Sequence, residues 1–124
     1  MDILIIDDST FSQRILGNLI AKNLDDVNTY FAKDGEEGLE KYKEIKPDYT
    51  FVDLLMPKLN GEQLIKLINE YDPNAKLIVV SADVQKSIKE EVNSYGVMAF
   101  INKPITEEKA KYICEMIRND KDEG

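Results

Sequence analysis

Three carboxylates stand directly after two apolar runs of this sequence, and their placement predicts metal chemistry. Asp7 and Asp8 follow Ile3–Ile6, and Asp53 follows Tyr49–Val52. If both runs are neighbouring parallel strands, these carboxylates meet at one sheet edge, where each pair repels by about 1–4 kcal/mol at a near-surface dielectric. A hard divalent cation relieves such repulsion, and Mg²⁺ favours one or two carboxylates together with a phosphate oxygen. The sequence therefore predicts a Mg²⁺ site that serves phosphate chemistry.

The expected ligand set follows from the same strand ends. We expect Asp8 and Asp53 to bind Mg²⁺ directly, Asp7 to hold a metal-bound water, and the backbone carbonyl of Leu55 to complete the protein ligands. The remaining carboxylate oxygen of Asp53 could then attack phosphorus, because aspartyl phosphate is an established type of covalent intermediate.

Two more polar residues follow later apolar runs. Ser81 offers a hydroxyl to a phosphoryl oxygen, and Lys103 offers a point charge that neutralises a phosphoryl group in transfer. A cis bond at Lys103-Pro104 would aim the lysine back into the pocket. Taken alone, the Asp7-Asp8 pair could equally well cap the helix that follows it. Polar residues at four strand ends, in this order, are hard to assign to chance.

Short apolar runs alternate with helical periodicity along the whole chain. The predicted strands are Ile3–Ile6, Thr29–Ala32, Tyr49–Val52, Leu77–Val80 (the most apolar, and therefore placed centrally) and Met98–Ile101. The residues at helical spacing are Phe11, Ile15, Leu16, Leu19 and Ile20 after an N-cap at Ser9 or Thr10; Leu39 and Tyr42 between Gly35 and Lys46-Pro47; Leu64, Ile65, Leu67, Ile68 and Tyr71 before Asp72-Pro73; Val84, Ile88 and Val92; and Ala110, Ile113, Cys114 and Ile117. Residues 119–124 are expected to form a frayed, polar end.

Five such βα units predict a doubly wound α/β fold, with a parallel sheet, helices on both faces and right-handed crossovers. Ligands of these folds bind outside the carboxyl ends of the strands, at the point where the strand order reverses. That is the edge at which the polar residues are expected to gather.

Composition removes several classes of function. The net charge of −8 argues against nucleic-acid binding, which needs a basic footprint. The chain has no histidine, which excludes histidine-based catalysis and zinc–histidine sites. Its single Cys114 forms no internal disulfide and is expected to fill the core, as lone thiols do in a reducing cytosol. With no signal peptide or membrane span apparent, we expect a cytoplasmic protein without membrane contact.

The motifs resemble those of the receiver domain of two-component response regulators, the family of CheY-like stand-alone receivers. The matching segments are Asp7-Asp8; Asp53 with Leu54-Leu55-Met56-Pro57 and Gly61; Ser81-Ala82; and Phe100 with Lys103-Pro104. The resemblance covers essentially the whole chain. It implies the strand order 2-1-3-4-5, for which CheY is itself a type example.

The resemblance also implies a role for each matching residue. Asp53 would accept a phosphoryl group from a sensor histidine kinase or a phosphotransfer protein, while Asp7 and Asp8 hold Mg²⁺. Lys103 would contact the phosphate and Ser81 would swing towards it. The roles implied for the other residues are a rotamer switch for Phe100 and structural roles for Pro57, Gly61 and Pro104. The switch would act on a downstream protein target through the face made by the fourth helix, fifth strand and fifth helix.

From these implications we expect residues 1–124 to form a single receiver domain with no output domain and no enzymatic activity, as a monomer or a weak dimer. A phosphatase is a further conceivable partner, and Leu55 and Asp83 are expected to flank the path of the hydrolytic water. The sequence of the first helix, with Arg14-Ile15 and Asn18-Leu19, favours a role in chemotaxis over one in transcriptional control. The alternatives are a phosphorelay intermediate and a scaffold that is not phosphorylated. The chain lacks the Asp-x-Asp motif that a phosphatase of the haloacid-dehalogenase type needs. A flavin mononucleotide site is disfavoured because Asp7-Asp8 would repel the phosphate.

Overall fold

A parallel five-stranded sheet forms the centre of the molecule in the computed structural model, which describes residues 1–56, 58–82 and 85–123. The strands are β1 (Asp2–Ile6), β2 (Asn28–Ala32), β3 (Tyr49–Val52), β4 (Leu77–Ser81) and β5 (Ala99–Asn102). Their order is β2-β1-β3-β4-β5. This confirms the predicted fold class and the strand order that the resemblance implied.

Within the described residues, four helices connect successive strands, a fifth follows the last strand, and together they cover both faces of the sheet. They are α1 (Thr10–Asn23), α2 (Gly35–Ile45), α3 (Gly61–Tyr71), α4 (Lys86–Asn93) and α5 (Glu107–Glu123). The α1 and α5 helices contribute to the core on one face, and α2, α3 and α4 to the core on the other. Among the described residues, none of the helices combines the length and the apolarity that crossing a bilayer requires.

Alternation along each strand divides the core into two layers. In β1, Ile3 and Ile5 point towards α1 and α5, whereas Leu4 and Ile6 point towards the opposite layer. Because helices cover both faces, the strands are apolar on both sides, which explains why they appear in the sequence as unbroken apolar runs. The β4 strand is an interior strand, as predicted, although the middle position of the sheet belongs to β3.

Close packing at Gly61 fixes the start of α3 against the end of β3. A Cβ atom at this position would lie 2.3 Å from the carbonyl oxygen of Asp53 and 2.6 Å from the Cα atom of Leu54. Only glycine lets the backbone come so close. The Asn60 and Gln63 side chains then close a capping box around the first turn of α3. The predicted structural role of Gly61 thus has a steric basis, whereas Pro57 lies outside the described residues.

Some residues predicted to face the core do not. Phe11 is 73% exposed because it lies in the first turn of α1, level with the strand ends, where the sheet offers little surface to pack against. In α3, Leu67 and Tyr71 are also exposed, while Leu64, Ile65 and Ile68 are buried. The α4 helix begins at Lys86, and Val84 lies outside the described residues.

The prediction of a frayed end at residues 119–124 was wrong for the described part of that segment, because α5 continues to Glu123. The buried Tyr49 hydroxyl donates to Oδ2 of Asp120 at 2.6 Å, and the Lys76 ammonium donates to Oδ1 at 3.2 Å. A buried phenol needs a hydrogen-bond partner, and the last turns of α5 supply it. The hydrogen bond from Tyr49, with help from Lys76, holds the pKa of Asp120 below its ordinary value.

We predict that Asp120→Ala lowers the free energy of unfolding by about 1–2 kcal/mol at pH 7, the usual cost of removing the main partner of a buried donor. The Tyr49 hydroxyl would keep only its long contact of 3.4 Å with the carbonyl of Ile117. Because the pKa of Asp120 is lower in the folded than in the unfolded chain, its charge-dependent stabilisation is complete above the unfolded value and is lost as the pH falls through the folded value. The difference between wild type and variant should therefore shrink below about pH 4. Urea denaturation at several pH values measures it.

The matched control is Asp122→Ala, which makes the same change at an exposed position of the same helix. An equal loss of stability in both variants would show that the contacts of Asp120 do not stabilise α5.

Candidate functional site

The three carboxylates predicted to meet at the carboxyl edge of the sheet do meet there. One oxygen from each of Asp7, Asp8 and Asp53 lies within 4.8 Å of the other two. The cause is the β1–β3 pairing, in which Ile6 is opposite Val52, so that the residues following both strands become neighbours. Asp7 and Asp53 are buried and Asp8 is exposed.

The Lys103 ammonium lies between two of these carboxylates. Its Nζ donates to Oδ2 of Asp7 and to Oδ2 of Asp53, both at 2.8 Å. The backbone N–H of Lys103 donates to the carbonyl of Ser81 at 3.1 Å, which joins the end of β5 to the end of β4. The Lys103-Pro104 peptide bond is cis, the conformation that the sequence raised as a possibility.

Both oxygens of the Asp53 carboxylate already accept hydrogen bonds. Oδ1 accepts from the Ser81 hydroxyl at 3.1 Å and from the Leu55 amide at 3.0 Å, and Oδ2 accepts from Lys103. An ionised carboxylate has about four lone-pair sites, so these three hydrogen bonds do not saturate Asp53. The expected attack of an Asp53 oxygen on phosphorus stays a prediction.

Burial and charge act in opposite directions on the ionisable groups. Burial raises the pKa of Asp7 above its ordinary value, although hydrogen bonds from Lys103 and from the Ser9 amide counteract part of the effect. Burial on its own would lower the pKa of Lys103, but its hydrogen bonds to Asp53 and Asp7 outweigh burial and raise that pKa. The ammonium therefore stays charged at neutral pH.

The donor set fits a hard divalent cation. Three carboxylates against one ammonium leave a net charge of −2 when all are ionised, and every candidate ligand is an oxygen. Asp8 is exposed and so open to an incoming ion. The Leu55 amide folds back onto Asp53, while its side chain is 67% exposed. The expected ligation by the Leu55 carbonyl stays a prediction.

The two candidate switch residues lie on neighbouring strands. Ser81 is buried at the end of β4, opposite Asn102, and Phe100 on β5 is opposite Val79. The Phe100 ring is half-buried, and the Lys89 ammonium of α4 lies 5.2 Å from its centroid. Ser81, whose hydroxyl donates to Asp53, is therefore connected to the surface of α4 through the adjacent strands β4 and β5.

Sequence reasoning missed two polar side chains that fasten the surrounding loops. The Gln13 amide donates to the carbonyls of Asp7 and Ala32 at 2.7 and 3.0 Å, which ties the ends of β1 and β2 together. Lys58 lies 3.6 Å from Asp34 and so connects the loop after β3 to the N-cap of α2. Gln13 lies one helical turn after the Ser9 N-cap, and that spacing is a signal that could have identified it. Asp83 lies outside the described residues.

Residues 3–115 match the family model described as the response regulator receiver domain. The chain belongs to this family.

Relatives of known name fit this class. The chain is 43% identical over 102 residues to the chemotaxis protein CheY of Thermotoga maritima, which covers 82% of this chain and 84% of that protein. It is 38% identical over 104 residues to a protein-glutamate methylesterase/protein-glutamine glutaminase of the same organism, over 82% of this chain but only 30% of the relative. Among solved structures, the CheX–CheY–BeF3–Mg complex of Borrelia burgdorferi aligns with a TM-score of 0.86 and 30% identity, covering 96% of this chain and 89% of that chain.

We predict that Mg²⁺ stabilises the wild-type protein and that Asp8→Asn removes this effect. At a concentration of 100 times the dissociation constant, a ligand specific for the folded state adds about 2.7 kcal/mol to the free energy of unfolding. Without Mg²⁺, the variant should be at least as stable as the wild type, because one like-charge repulsion is lost. Thermal denaturation with Mg²⁺ and with chelator measures both effects.

Asp25→Asn, at an exposed position between α1 and β2, is the control for the change in net charge. A full Mg²⁺ response in Asp8→Asn would remove Asp8 from the metal site.

Proposed function

We propose that this chain is a phosphoacceptor response regulator, which receives a phosphoryl group on Asp53 from a phosphohistidine of a sensor kinase or phosphotransfer protein. The observation that carries the proposal is the position of the Asp53 carboxylate. It is buried, contacted by the Lys103 ammonium and the Ser81 hydroxyl, and adjacent to Asp7 and Asp8. No simple structural role requires three carboxylates at one strand edge.

The proposed transfer moves the phosphoryl group from nitrogen to oxygen. An oxygen of Asp53 attacks phosphorus, the phosphorus–nitrogen bond of the phosphohistidine breaks, and the imidazole nitrogen keeps the electron pair and takes up a proton. Lys103 moves its hydrogen bond from the Asp53 carboxylate to a phosphoryl oxygen and stabilises the charge that spreads over these oxygens. Asp8, Asp53 and the Leu55 carbonyl would hold Mg²⁺, and Asp7 would hold a metal-bound water. The bound ion would supply positive charge that neutralises the phosphoryl oxygens.

The proposed switch begins with the hydrogen bond between Ser81 and Asp53. Phosphorylation adds about −1.5 to −2 charge and new acceptor oxygens, and the Ser81 hydroxyl turns to one of them. Phe100 then takes the space that Ser81 leaves and breaks its contact with Lys89, which costs about 0.5–1 kcal/mol at an exposed site. Two packings that differ by a few kcal/mol are sufficient for such a switch. The downstream protein reads the face made by α4, β5 and α5.

We infer a role in chemotaxis, as a cytoplasmic receiver domain that acts through protein contacts. Its support is the 43% identity to a chemotaxis CheY over most of both chains. The similarity to the methylesterase spans only 30% of that protein, so it supports a receiver and not an esterase. A phosphorelay intermediate is the second candidate, since the same pocket would serve it.

The first experiment is intact-mass analysis after incubation with acetyl phosphate. We expect a phosphoryl adduct in the presence of Mg²⁺, none with chelator, and none in Asp53→Ala. The control Asp25→Ala, which removes an exposed carboxylate far from the pocket, should form the adduct like the wild type. An adduct that persists in Asp53→Ala would place the phosphoacceptor elsewhere. A lack of any adduct, combined with a lack of Mg²⁺ binding, would favour the scaffold.

A second experiment concerns the lifetime of the phosphoryl group. Leu55 is exposed beside Asp53, where water must approach the phosphorus, so Leu55→Ala should change the dephosphorylation rate by several-fold and leave Mg²⁺ affinity nearly intact. Decay of the adduct after removal of the donor, together with Mg²⁺ titration, measures the two quantities. The matched control is Leu67→Ala, which truncates an exposed leucine of α3. Equal losses in both quantities would contradict this division of roles.

A further inference from the structure

The side chain of Lys109 bridges the loop that carries Lys103. Its Nζ donates to the carbonyl of Asn102 at 2.8 Å and to the carbonyl of Pro104 at 3.1 Å. These two carbonyls belong to the residues on either side of Lys103. The ammonium of one lysine therefore closes the backbone around the other.

The start of α5 fixes the backbone of Lys109. Its N–H donates to Oγ1 of Thr106 at 3.2 Å, and the next amide, that of Ala110, donates to the carbonyl of Thr106 at 2.9 Å. Ala110 is fully buried, so this turn of the helix is anchored in the core. From this anchored position the Lys109 side chain folds back over the loop between β5 and α5.

The loop needs such a support because β5 is an edge strand. In the described part of the chain its one neighbouring strand is β4, and on that side the Lys103 amide donates to the carbonyl of Ser81. On its other side none of the described residues forms a strand that pairs with the backbone, and Pro104 has no N–H to donate. The Lys109 ammonium supplies donors there, so that contacts hold the loop from both sides.

We propose that Lys109 is a positioning residue for Lys103, an inference that rests on the proposed phosphoryl transfer. The Lys103 ammonium must lie 2.8 Å from two carboxylates at once, and its four-carbon stem is flexible. A small displacement of the backbone at its base shifts the charge away from the reacting oxygens, and an error of about 1 Å is enough to cost orders of magnitude in rate. Lys109 fixes that base without touching the phosphoryl group.

The first test compares Lys109→Met with Lys109→Arg. Methionine keeps an apolar stem but has no donors, and we expect the maximal rate of phosphorylation by acetyl phosphate to fall about tenfold, with the Mg²⁺ dissociation constant changed less than about twofold. Arginine has donors that can reach both carbonyls and should restore most of the rate. The matched control Lys111→Met removes an exposed lysine of the same helix and should behave like the wild type.

A double-mutant cycle separates positioning from general destabilisation. In a Lys103→Met background there is no ammonium left to position, so adding Lys109→Met should cause no further loss of rate. If the two losses are instead fully additive, or if Lys109→Met alone has no effect, Lys109 does not act through Lys103.

A third measurement does not depend on phosphorylation. The Lys103 amine is only 21% exposed and is held by two carboxylates, so an amine-reactive anhydride should modify it slowly in the wild type. Peptide mapping by mass spectrometry should show faster modification of Lys103 in Lys109→Met than in the wild type, and none of this increase in Lys111→Met. Faster modification in a protein that never accepts phosphate would sustain the positioning role and refute the proposed function. If the wild type forms the adduct normally and Lys103 is modified at the same rate in Lys109→Met, the proposed function is supported and the positioning role is refuted.

Discussion

Repulsion among three carboxylates at one edge of the sheet is the constraint on which the rest of the structure depends. The pairing of β1 with β3 forces Asp7, Asp8 and Asp53 together, and one ammonium, that of Lys103, offsets only part of their charge. That ammonium reaches across the end of β4 from β5, and the backbone bond from Lys103 to Ser81 continues the pairing of these two strands up to the base of the side chain. The fold thus keeps a pocket whose remaining negative charge favours a divalent cation.

The state of Asp53 shows how the pocket is organised before any reaction. Ser81 and the Leu55 amide occupy one carboxylate oxygen, and Lys103 occupies the other. In the proposed phosphoryl transfer, these donors would already be oriented, and the reaction would exchange their acceptors rather than recruit donors from solvent. Such preorganisation lowers the reorganisation that accompanies charge movement. It also explains how a single covalent event could reach β4 and β5 together.

The sequence predicted those parts of the fold and site that depend on local pattern. Apolar runs on both faces of each strand, and polar residues directly after them, located the sheet and placed Asp7, Asp53 and Lys103 at one edge. Contacts between distant segments were not predictable in this way. The partner of Tyr49 lies 71 residues away on α5, so the terminal helix appeared frayed until tertiary packing supplied its reason to be ordered. The prediction that Phe11 faces the core was wrong for a related reason. Helical spacing predicts which face of a helix is apolar, but it does not predict where the sheet beneath that face ends.

Side-chain contacts hold the α5 helix near both of its ends, its start at the carboxyl ends of the strands and its end at their amino ends. Lys109 holds its start to the loop after β5, and Asp120 holds its end to Tyr49 and Lys76. The α4 helix, which covers the other face of the sheet, is shorter and has Val92 as its buried residue. It begins at Lys86, and its N-cap residue Gln85 makes no side-chain capping hydrogen bond. Because α4 lacks a side-chain cap and has few buried contacts, its local stability is lower than that of α5, which is held near both ends. A partner that binds both helices would therefore meet α5 in a fixed position. An induced change of shape would cost the least free energy at α4.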